Sequence, residues 1–444
     1  MSRKKAIVGC SVFILFILGI FHGFVNAEEK PKIYTVKSSI EEAMAASYGL
    51  KQKKEQLNQA ISVKNQTRAD LLPKFSLNYG YSRLDEPRVI KGPFAGPSGE
   101  IAISSQNNYS LVGILRQPLF TGFGLISAYK LSKLGIDLSE MDIELEKLDL
   151  ALRVKDAYYG ILIADAAIDV ASKSVKSLES AANVARNFHK VGMVPINDVL
   201  KAEVDLANSV QALTRTENDA KLARAAFNTV LVRDVDEPVE VEDVMKVQPQ
   251  VSKFEEYREL ALNNRPEIKV IDINIQQADQ QINLAKSKYW PEITLTYNYT
   301  RQGNTWGVNG SPYVNPRQWE AIIGAQWTFW EWGKTYYSQK AQESSKKELM
   351  ETKNTLIDNI TLEVKRALLN LETAIKNIPT TEKAVKQGEE NLRVNEERYK
   401  AQVTTITELL DAQRLLSQAR VNYFTALYTT ALAKATLDRA IGTY

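Results

Sequence analysis

Apolar and polar residues alternate strictly in two parts of the chain, one in each half. The alternating apolar positions are Phe75, Leu77, Tyr79 and Tyr81 in the first half and Ile293, Leu295, Tyr297 and Tyr299 in the second. A period of two residues is typical of a β-strand with one apolar face. A second alternating segment follows each of these after a loop rich in glycine and proline. The sequence therefore predicts two β-hairpins, with strands at about residues 74–84 and 107–120 and at about 292–301 and 319–330.

Two longer segments have the seven-residue period of coiled coils. Residues 125–190 contain no proline, and large apolar residues recur every seven positions from Leu131 to Tyr159. The second half repeats this pattern up to Pro379, where we expect a kink or a change of register. Shorter apolar repeats follow both segments. The sequence thus predicts two long helical hairpins, at residues 125–231 and 333–441.

The two halves of the chain are related to each other. Residues 71–83 align with residues 289–301 at an offset of 218, and residues 189–202 align with residues 399–412 at an offset of 210. The eight missing residues fall most simply in the loop after the first strand, because loops tolerate insertions best. We therefore divide the chain into a first structural repeat at 28–250 and a second at 251–444.

The first 27 residues have the pattern of a secretory signal peptide. Arg3, Lys4 and Lys5 precede an apolar run, and a small-residue cleavage site ends at Ala27. The alternative is an uncleaved membrane anchor, for which the apolar run is short. No lipid anchor is expected, since the apolar run continues well past Cys10.

Composition argues against several classes of function. The 444 residues include 56 basic and 53 acidic side chains without a basic stripe, so we expect no nucleic-acid partner. Two histidines and one cysteine leave almost no ligands for a metal site or for nucleophilic catalysis. We predict a protein that is not an enzyme and has no cofactor and no metal; a hydrolase would need a catalytic cluster that is missing from the sequence.

The aromatic residues of the hairpins suggest contact with a membrane. All six tryptophans lie between Trp290 and Trp332, and tyrosines cluster in the other hairpin, as in the aromatic girdles of membrane barrels. A soluble β-sandwich with an aromatic core is the alternative. A sheet in lipid must close on itself, and four strands are too few. Two copies would supply eight strands and three copies twelve, and symmetry alone does not choose between them.

The chain as a whole resembles the TolC-like outer-membrane efflux channel family. The resemblance rests on the duplicated hairpins, on QPLFTGFG at residues 117–124 and on VGMVPINDVL at residues 191–200. It implies an α+β membrane protein that forms a homotrimer. The four strands of each chain would share a twelve-stranded barrel surrounded by outer-membrane lipid, and an α-helical tunnel would continue the barrel across the periplasm. Residues 232–252 and the end of the chain at Tyr444 would form a modest equatorial belt.

The same resemblance implies a function. The protein would be an outer-membrane channel-tunnel, the passive exit duct of a tripartite efflux or type I secretion system, energised by an inner-membrane pump through a periplasmic adaptor protein. The alternative is a soluble periplasmic coiled-coil scaffold, whose hairpins would pack in a core. Extraction into detergent rather than into buffer separates the two.

Two acidic residues near the second helical turn are candidates for a tunnel constriction. Glu408 and Asp411 are three residues apart, so both lie on one face of a helix. This spacing alone favours two ordinary carboxylates on a solvated helix surface. The stretch TELLDA, however, resembles the family segment whose acids narrow the tunnel mouth.

The resemblance also implies a latch that holds the tip closed. Asp198 matches the family's latching acid and Tyr399 its aromatic partner. The family's basic latch residue is replaced by Thr404, for which Lys400 is a speculative substitute.

The turns between the long helices resemble the family's adaptor-docking motif. The candidate docking residues are Val191, Gly192, Met193 and Val194 in the first repeat and Ala401, Gln402, Val403 and Thr404 in the second. Gly192 suits a turn with positive φ, which is also its purely structural explanation. Gln402 stands where the motif has its second glycine.

Overall fold

The computed structural model describes residues 33–93, 99–243 and 251–444, so the predicted signal peptide lies outside the described residues. The elements follow in the order β1 (Ile33–Tyr34), α1 (Val36–Ala46), α2 (Tyr48–Ala69), β2 (Lys74–Arg83), β3 (Val89–Lys91), β4 (Glu100–Ala102), β5 (Asn107–Thr121), α3 (Gly124–Lys190), α4 (Ile196–Leu231), β6 (Glu240–Val241), α5 (Phe254–Asn264), α6 (Pro266–Lys286), β7 (Glu292–Gly303), β8 (Arg317–Gln326), α7 (Lys334–Lys400) and α8 (Ile406–Ala440). A short 3₁₀ turn, Ser287–Tyr289, joins α6 to β7.

One antiparallel sheet, in the order β2-β5-β7-β8, contains strands from both halves of the chain. Its register places Phe75 opposite Leu115, Leu115 opposite Tyr297, and Tyr297 opposite Ala321. Residues opposite each other project from the same face, so the apolar positions of all four strands share one face. That face is open: Phe75 is 77% exposed. The opposite face is mostly polar.

The edges of the sheet are β2 and β8. Within the described residues each of them pairs with one strand only, so one row of backbone N–H and C=O groups on each has no strand partner. Such edges invite pairing with another chain.

The long helices form two hairpins, α3 with α4 and α7 with α8. Both α3 and α7 contain 67 residues, and at 1.5 Å per residue each is about 100 Å long. Three buried apolar clusters along their length hold the helices together. In the parts of the chain that the structure describes, no helix is both long and apolar enough to cross a membrane.

The upper ends of the long helices, next to the sheet, lie in a wall with the order α7, α6, α3, α2. Between α6 and α7, Asp279 pairs with Lys346 at 2.7 Å and Asp272 with Lys353 at 2.6 Å. α6 also packs on α3, and α2 packs on the other side of α3. The two halves of the chain therefore interlock side by side within one wall.

The structure corrects two expectations from the sequence. β8 ends at Gln326, so the segment 327–330 is not part of the strand predicted to reach residue 330. The loop after β2 contains a small extra hairpin, formed by β3 and β4. α7 continues through Pro379, and the hydroxyl of Thr381 donates to the carbonyl of Asn377 at 2.9 Å just after it; the kink or change of register at this proline stays a prediction.

β1 and β6 form a two-stranded parallel contact, and β6 lies in the segment 232–252 for which an equatorial belt is predicted. The buried Tyr158 hydroxyl donates to the carbonyls of Tyr34 and Glu242, at 3.0 and 2.6 Å. Burial raises the pKa of Tyr158 to about 12. Residues 244–250 of the predicted belt lie outside the described residues.

A partly buried network of ion pairs joins the two halves of the chain. Arg265 is 4% exposed and contacts Glu267 at 2.6 Å and Glu363 at 2.5 Å. Arg439 contacts Glu363 at 3.2 Å and Asp149 of α3 at 3.0 Å. Burial acts to raise the pKa of Glu267, but hydrogen bonds from Arg265 and the charge of Arg439 outweigh it and leave that pKa below its usual value.

Replacing Arg265 should destabilise the fold more than replacing an exposed arginine. We expect Arg265→Met to lower the free energy of unfolding by about 3 kcal/mol, because Glu267 and Glu363 would stay partly buried with less compensation. The control Arg414→Met removes an exposed pair with Asp411 and should cost less than about 1 kcal/mol. Thermal unfolding in detergent measures both, and equal losses would contradict a structural role for the buried network.

Candidate functional site at the helical tip

The two helical turns come together at one end of the molecule. A buried apolar cluster beneath them includes Ala185 of α3, Val199 of α4, Tyr399 of α7 and Ile406 of α8. All four long helices therefore contribute to the tip. The candidate residues of both repeats, some 200 positions apart in the sequence, are neighbours in space.

The backbone of both turns has the same hydrogen-bonding pattern. Gly192 N–H donates to the carbonyl of His189 at 2.9 Å, and Met193 N–H donates to that of Phe188 at 2.8 Å. Gln402 and Val403 make the equivalent bonds in the second turn, at 3.0 and 2.9 Å. This is the Schellman arrangement, which needs a left-handed residue after the helix end. Gly192 has φ 77° and Gln402 has φ 59°, so glutamine adopts the conformation that the missing glycine would favour.

This conformation predicts opposite effects for two small substitutions. A left-handed φ costs a residue with a side chain about 1 kcal/mol more than glycine. Gln402→Gly should therefore stabilise the protein by up to about 1 kcal/mol; the greater conformational entropy that glycine gives the unfolded chain reduces this gain. Gly192→Ala should destabilise the protein by about 1 kcal/mol. Thermal unfolding of the two variants is the measurement. A loss of stability in Gln402→Gly would mean that the glutamine side chain itself holds the turn.

The candidate docking residues form an exposed and partly apolar surface. Val191 is 68% exposed, Met193 55% and Val403 64%. Ala401 and Gln402 are also exposed, whereas Val194 and Thr404 are half-buried. The carbonyl of Val194 accepts a hydrogen bond from the His189 ring at 3.0 Å, which ties the first turn to the end of α3.

Glu408 and Asp411 lie in the first turns of α8 with more than half of each side chain exposed. Glu408 accepts a hydrogen bond from the Thr404 hydroxyl at 2.6 Å and lies 3.9 Å from Arg398. Asp411 lies 3.1 Å from Arg414. Both carboxylates are thus accessible, and each has a cation of the same chain beside it.

Asp198 and Tyr399 are close but are not hydrogen-bonded in the structure. Tyr399 is 3% exposed and its ring packs 5.8 Å from that of Phe188. Among the described residues, its buried hydroxyl has no hydrogen-bond partner. Burial, and then the charge of Asp198, raise the pKa of Tyr399. Thr404 is engaged with Glu408 instead, and within the described residues Lys400 forms no ion pair.

Several contacts at the tip could not be found from the sequence. The Lys201 ammonium donates to the Thr407 hydroxyl at 3.3 Å between α4 and α8. The Ser177 hydroxyl donates to the buried side chain of Gln413 at 2.8 Å, which links α3 to α8. Both contacts hold one hairpin against the other. Neither residue pair has a sequence pattern that marks it, because its members come from different repeats.

In the described part of the chain, no group of three or more His, Cys, Asp or Glu side chains is placed to hold a metal ion. The tip is a surface of exposed carboxylates and apolar side chains at two hydrogen-bonded turns.

Known channels share this fold across nearly their whole length. The Campylobacter jejuni CmeC outer membrane channel is 16% identical, with 92% of this chain and 85% of that one covered and a TM-score of 0.79. The open-state MtrE outer membrane channel of Neisseria gonorrhoeae is 20% identical, with 92% and 89% covered and a TM-score of 0.75. The outer membrane protein VceC of Vibrio cholerae is 15% identical, with 92% and 96% covered and a TM-score of 0.77. At these identities the likeness shows the fold alone.

Sequence comparison identifies the family. A comparison with curated proteins gave no significant match. The family model described as outer membrane efflux protein, however, matches residues 39–231 and again residues 258–443. These two matches cover most of the chain, one in each half. The chain belongs to the outer membrane efflux protein family.

Proposed function

We propose that this protein is the passive outer-membrane exit duct of a tripartite efflux or type I secretion system. An inner-membrane pump supplies the energy and a periplasmic adaptor connects the pump to the duct. The observation that carries the proposal is a four-stranded sheet that is joined directly to helices about 100 Å long. One face of this sheet is apolar and open, and both of its edges lack a strand partner among the described residues.

The sheet supports assembly into a closed barrel. In lipid, the unpaired edges of β2 and β8 need partners from other copies. Three copies give twelve strands, and β8 of each copy pairs with β2 of the next. The apolar face, with Phe75, Leu77 and Ile323, then contacts outer-membrane lipid. The mostly polar face, where Asn298 donates to Glu320 at 2.8 Å, lines a water-filled lumen.

The exposed sheet argues against the soluble scaffold. A soluble protein would pack the apolar face of these hairpins in a core, but Leu77 is 71% exposed, Trp319 69% and Ile323 70%. An apolar surface of this size marks a protein or membrane contact.

At the tip we propose three roles. The carboxylates of Glu408 and Asp411 form the tunnel constriction, Asp198 and Tyr399 contribute to the closed state, and the exposed residues of the two turns receive the adaptor. The accessibility of the carboxylates and the apolar exposure of Val191, Met193 and Val403 support these roles. The repeats at 28–250 and 251–444 arose by duplication, a proposal supported by the matching order of their helices and strands.

Membrane fractionation and native mass spectrometry test the assembly. We expect a mature N-terminus at Glu28 and a trimer that leaves the outer membrane in mild detergent but not in alkaline buffer. A protein that buffer releases, or one that is monomeric in mild detergent, would contradict the duct. An intact mass that includes residues 1–27 would contradict only the prediction of a cleavable signal peptide and would leave the duct unaffected.

A further inference from the structure

We propose that a pair of arginines on the apolar face of the sheet binds the phosphate-bearing headgroup of a membrane lipid. The pair consists of Arg301 of β7 and Arg317 of β8, which lie directly opposite each other at the end of the sheet away from the long helices. This inference rests on the proposed duct, which places the apolar face against lipid. It goes beyond that function, because a duct needs only apolar and aromatic side chains on this face.

The register places both arginines on the apolar face. Arg301 follows Tyr299 after an interval of two residues along β7, and Arg317 precedes Trp319 by the same interval on β8. Side chains at intervals of two project from the same face of a strand. Tyr299 is opposite Trp319, so a pair of aromatic residues lies next to the pair of arginines. The two positive charges therefore project toward lipid and not into the lumen.

The length of β7 places the arginines near the surface of the membrane. From Ile293 to Arg301 the strand advances by eight residues, which is about 27 Å along its axis. At a strand tilt of about 40° this corresponds to a height of roughly 20 Å, most of the apolar band of a membrane barrel. The two arginines thus lie at the headgroup level of the leaflet that is farther from the helices.

The two guanidinium groups lack a negative partner. Within the described residues, neither Arg301 nor Arg317 forms an ion pair with a carboxylate. Like charges that lie directly opposite each other destabilise an antiparallel pair. Nη2 of Arg301 donates to the side-chain oxygen of Asn309 at 2.9 Å, but its buried Nε has no hydrogen-bond partner among the described residues. Arg317 is exposed. An anion bound between the two groups would offset both charges.

The loop between β7 and β8 forms one side of this site. The hydroxyl of Tyr79 on β2 donates to the carbonyl of Trp306 at 2.8 Å, which ties the loop to the apolar face. Tyr79, Leu111 and Arg301 lie in one row across the neighbouring strands. The Trp306 side chain is 81% exposed. Tryptophan is favoured at the level of lipid headgroups, so this loop fits the same interface as the arginines.

Charge complementarity favours a phosphate monoester as the ligand. The two guanidinium groups carry two positive charges, and a phosphate monoester carries nearly two negative charges at neutral pH. Arginine also matches phosphate geometry, since its planar fork donates paired hydrogen bonds to two oxygens. A phosphodiester carries one charge and would leave one arginine uncompensated. The neighbouring apolar residues Trp319, Ala321 and Ile323 of β8 share the face and fit the acyl chains of the same lipid.

Lipid binding to delipidated trimers tests the site. The probe is lipid A with two phosphate monoesters, and native mass spectrometry counts the bound molecules as its concentration rises. We expect one tightly bound lipid A for each chain. Arg301→Gln with Arg317→Gln should raise the dissociation constant by about tenfold or more, because it removes hydrogen bonds to a charged group. The matched control Arg116→Gln removes a charge from the polar face, where Arg116 is opposite Lys74, and should bind lipid A like the native protein.

Two further probes establish which ligand the site takes. Phosphatidylglycerol, a phosphodiester lipid, should bind more weakly than lipid A, and equal binding would overturn the assignment of a monoester. Inorganic phosphate at millimolar concentration should leave lipid A in place, because it has no acyl chains. Complete displacement of lipid A by phosphate would identify a site for the free anion and overturn the lipid site.

The outcomes also separate this inference from the proposed function. Equal binding of lipid A by the native protein and by the double variant would overturn the site, and the duct would stand if the native trimer still conducts ions in planar bilayers. If the double variant inserts poorly, Arg317→Gln alone carries the same test, since Arg317 is exposed. A native protein that alkaline buffer releases from membranes would overturn the duct and this site together.

Discussion

Replacing Gly192 with proline should abolish export while leaving assembly nearly unchanged. Gly192 has φ 77° and its N–H donates to the carbonyl of His189. Proline fixes φ near −65° and has no N–H, so it cannot form this turn. The displaced turn would carry Val191 and Met193, both exposed, away from the position that an adaptor contacts. The sheet lies at the far end of helices about 100 Å long, so the barrel should still form.

The measurement is the tolerance of cells to the toxic compounds that the native protein exports. We expect Gly192→Pro to reduce tolerance to that of cells without the protein, with trimer yield in the outer membrane close to normal. Gln402→Gly is the matched control, since it favours the observed conformation of the other turn, and it should retain export. Unchanged tolerance in Gly192→Pro would show that the shape of this turn is not needed for docking.

Removing both carboxylates at the tip should erase the cation preference of the pore. In a trimer, Glu408 and Asp411 place six carboxylates around one axis, and low-dielectric walls focus their field. Cations would be concentrated there, and multivalent ones would block. The double variant Glu408→Ala with Asp411→Ala should bring the permeability ratio of potassium to chloride close to one. It should also abolish block by trivalent cations, in recordings from planar bilayers.

Arg414 provides a control with the opposite sign. It lies 3.1 Å from Asp411 and offsets part of its charge. Arg414→Ala should therefore strengthen cation preference rather than weaken it. If the double carboxylate variant keeps native selectivity and block, Glu408 and Asp411 are an ordinary solvated pair and the constriction lies elsewhere.

The periodicity of apolar residues located the strands and helices closely. It failed at the end of β8, where the alternation continues beyond the strand. The alternating run that predicts β8 continues through Trp327 and Phe329, although the strand ends at Gln326. These aromatic residues leave the sheet, and the Trp327 ring N–H donates to the carbonyl of Tyr289 at 3.1 Å. Alternation alone cannot tell an apolar side chain on a strand from one just beyond it.

At the tip, the sequence selected candidate residues but could not predict their contacts. The repeat and the family resemblance selected the turns and the carboxylates. They did not predict that Gln402 would adopt a left-handed φ, because such a φ normally favours glycine. They also did not predict the contacts of Thr404 and Arg398 with Glu408, since the positions of side chains across a turn depend on its three-dimensional geometry.

Ion conductance tests most directly the claim that these chains form a passive duct through a membrane. Purified trimers added to a planar lipid bilayer should produce discrete steps of current under voltage alone, without nucleotide or any partner protein. A protein that is trimeric by native mass spectrometry, inserts into the bilayer and yet gives no current steps, even with both tip carboxylates replaced, would contradict the account.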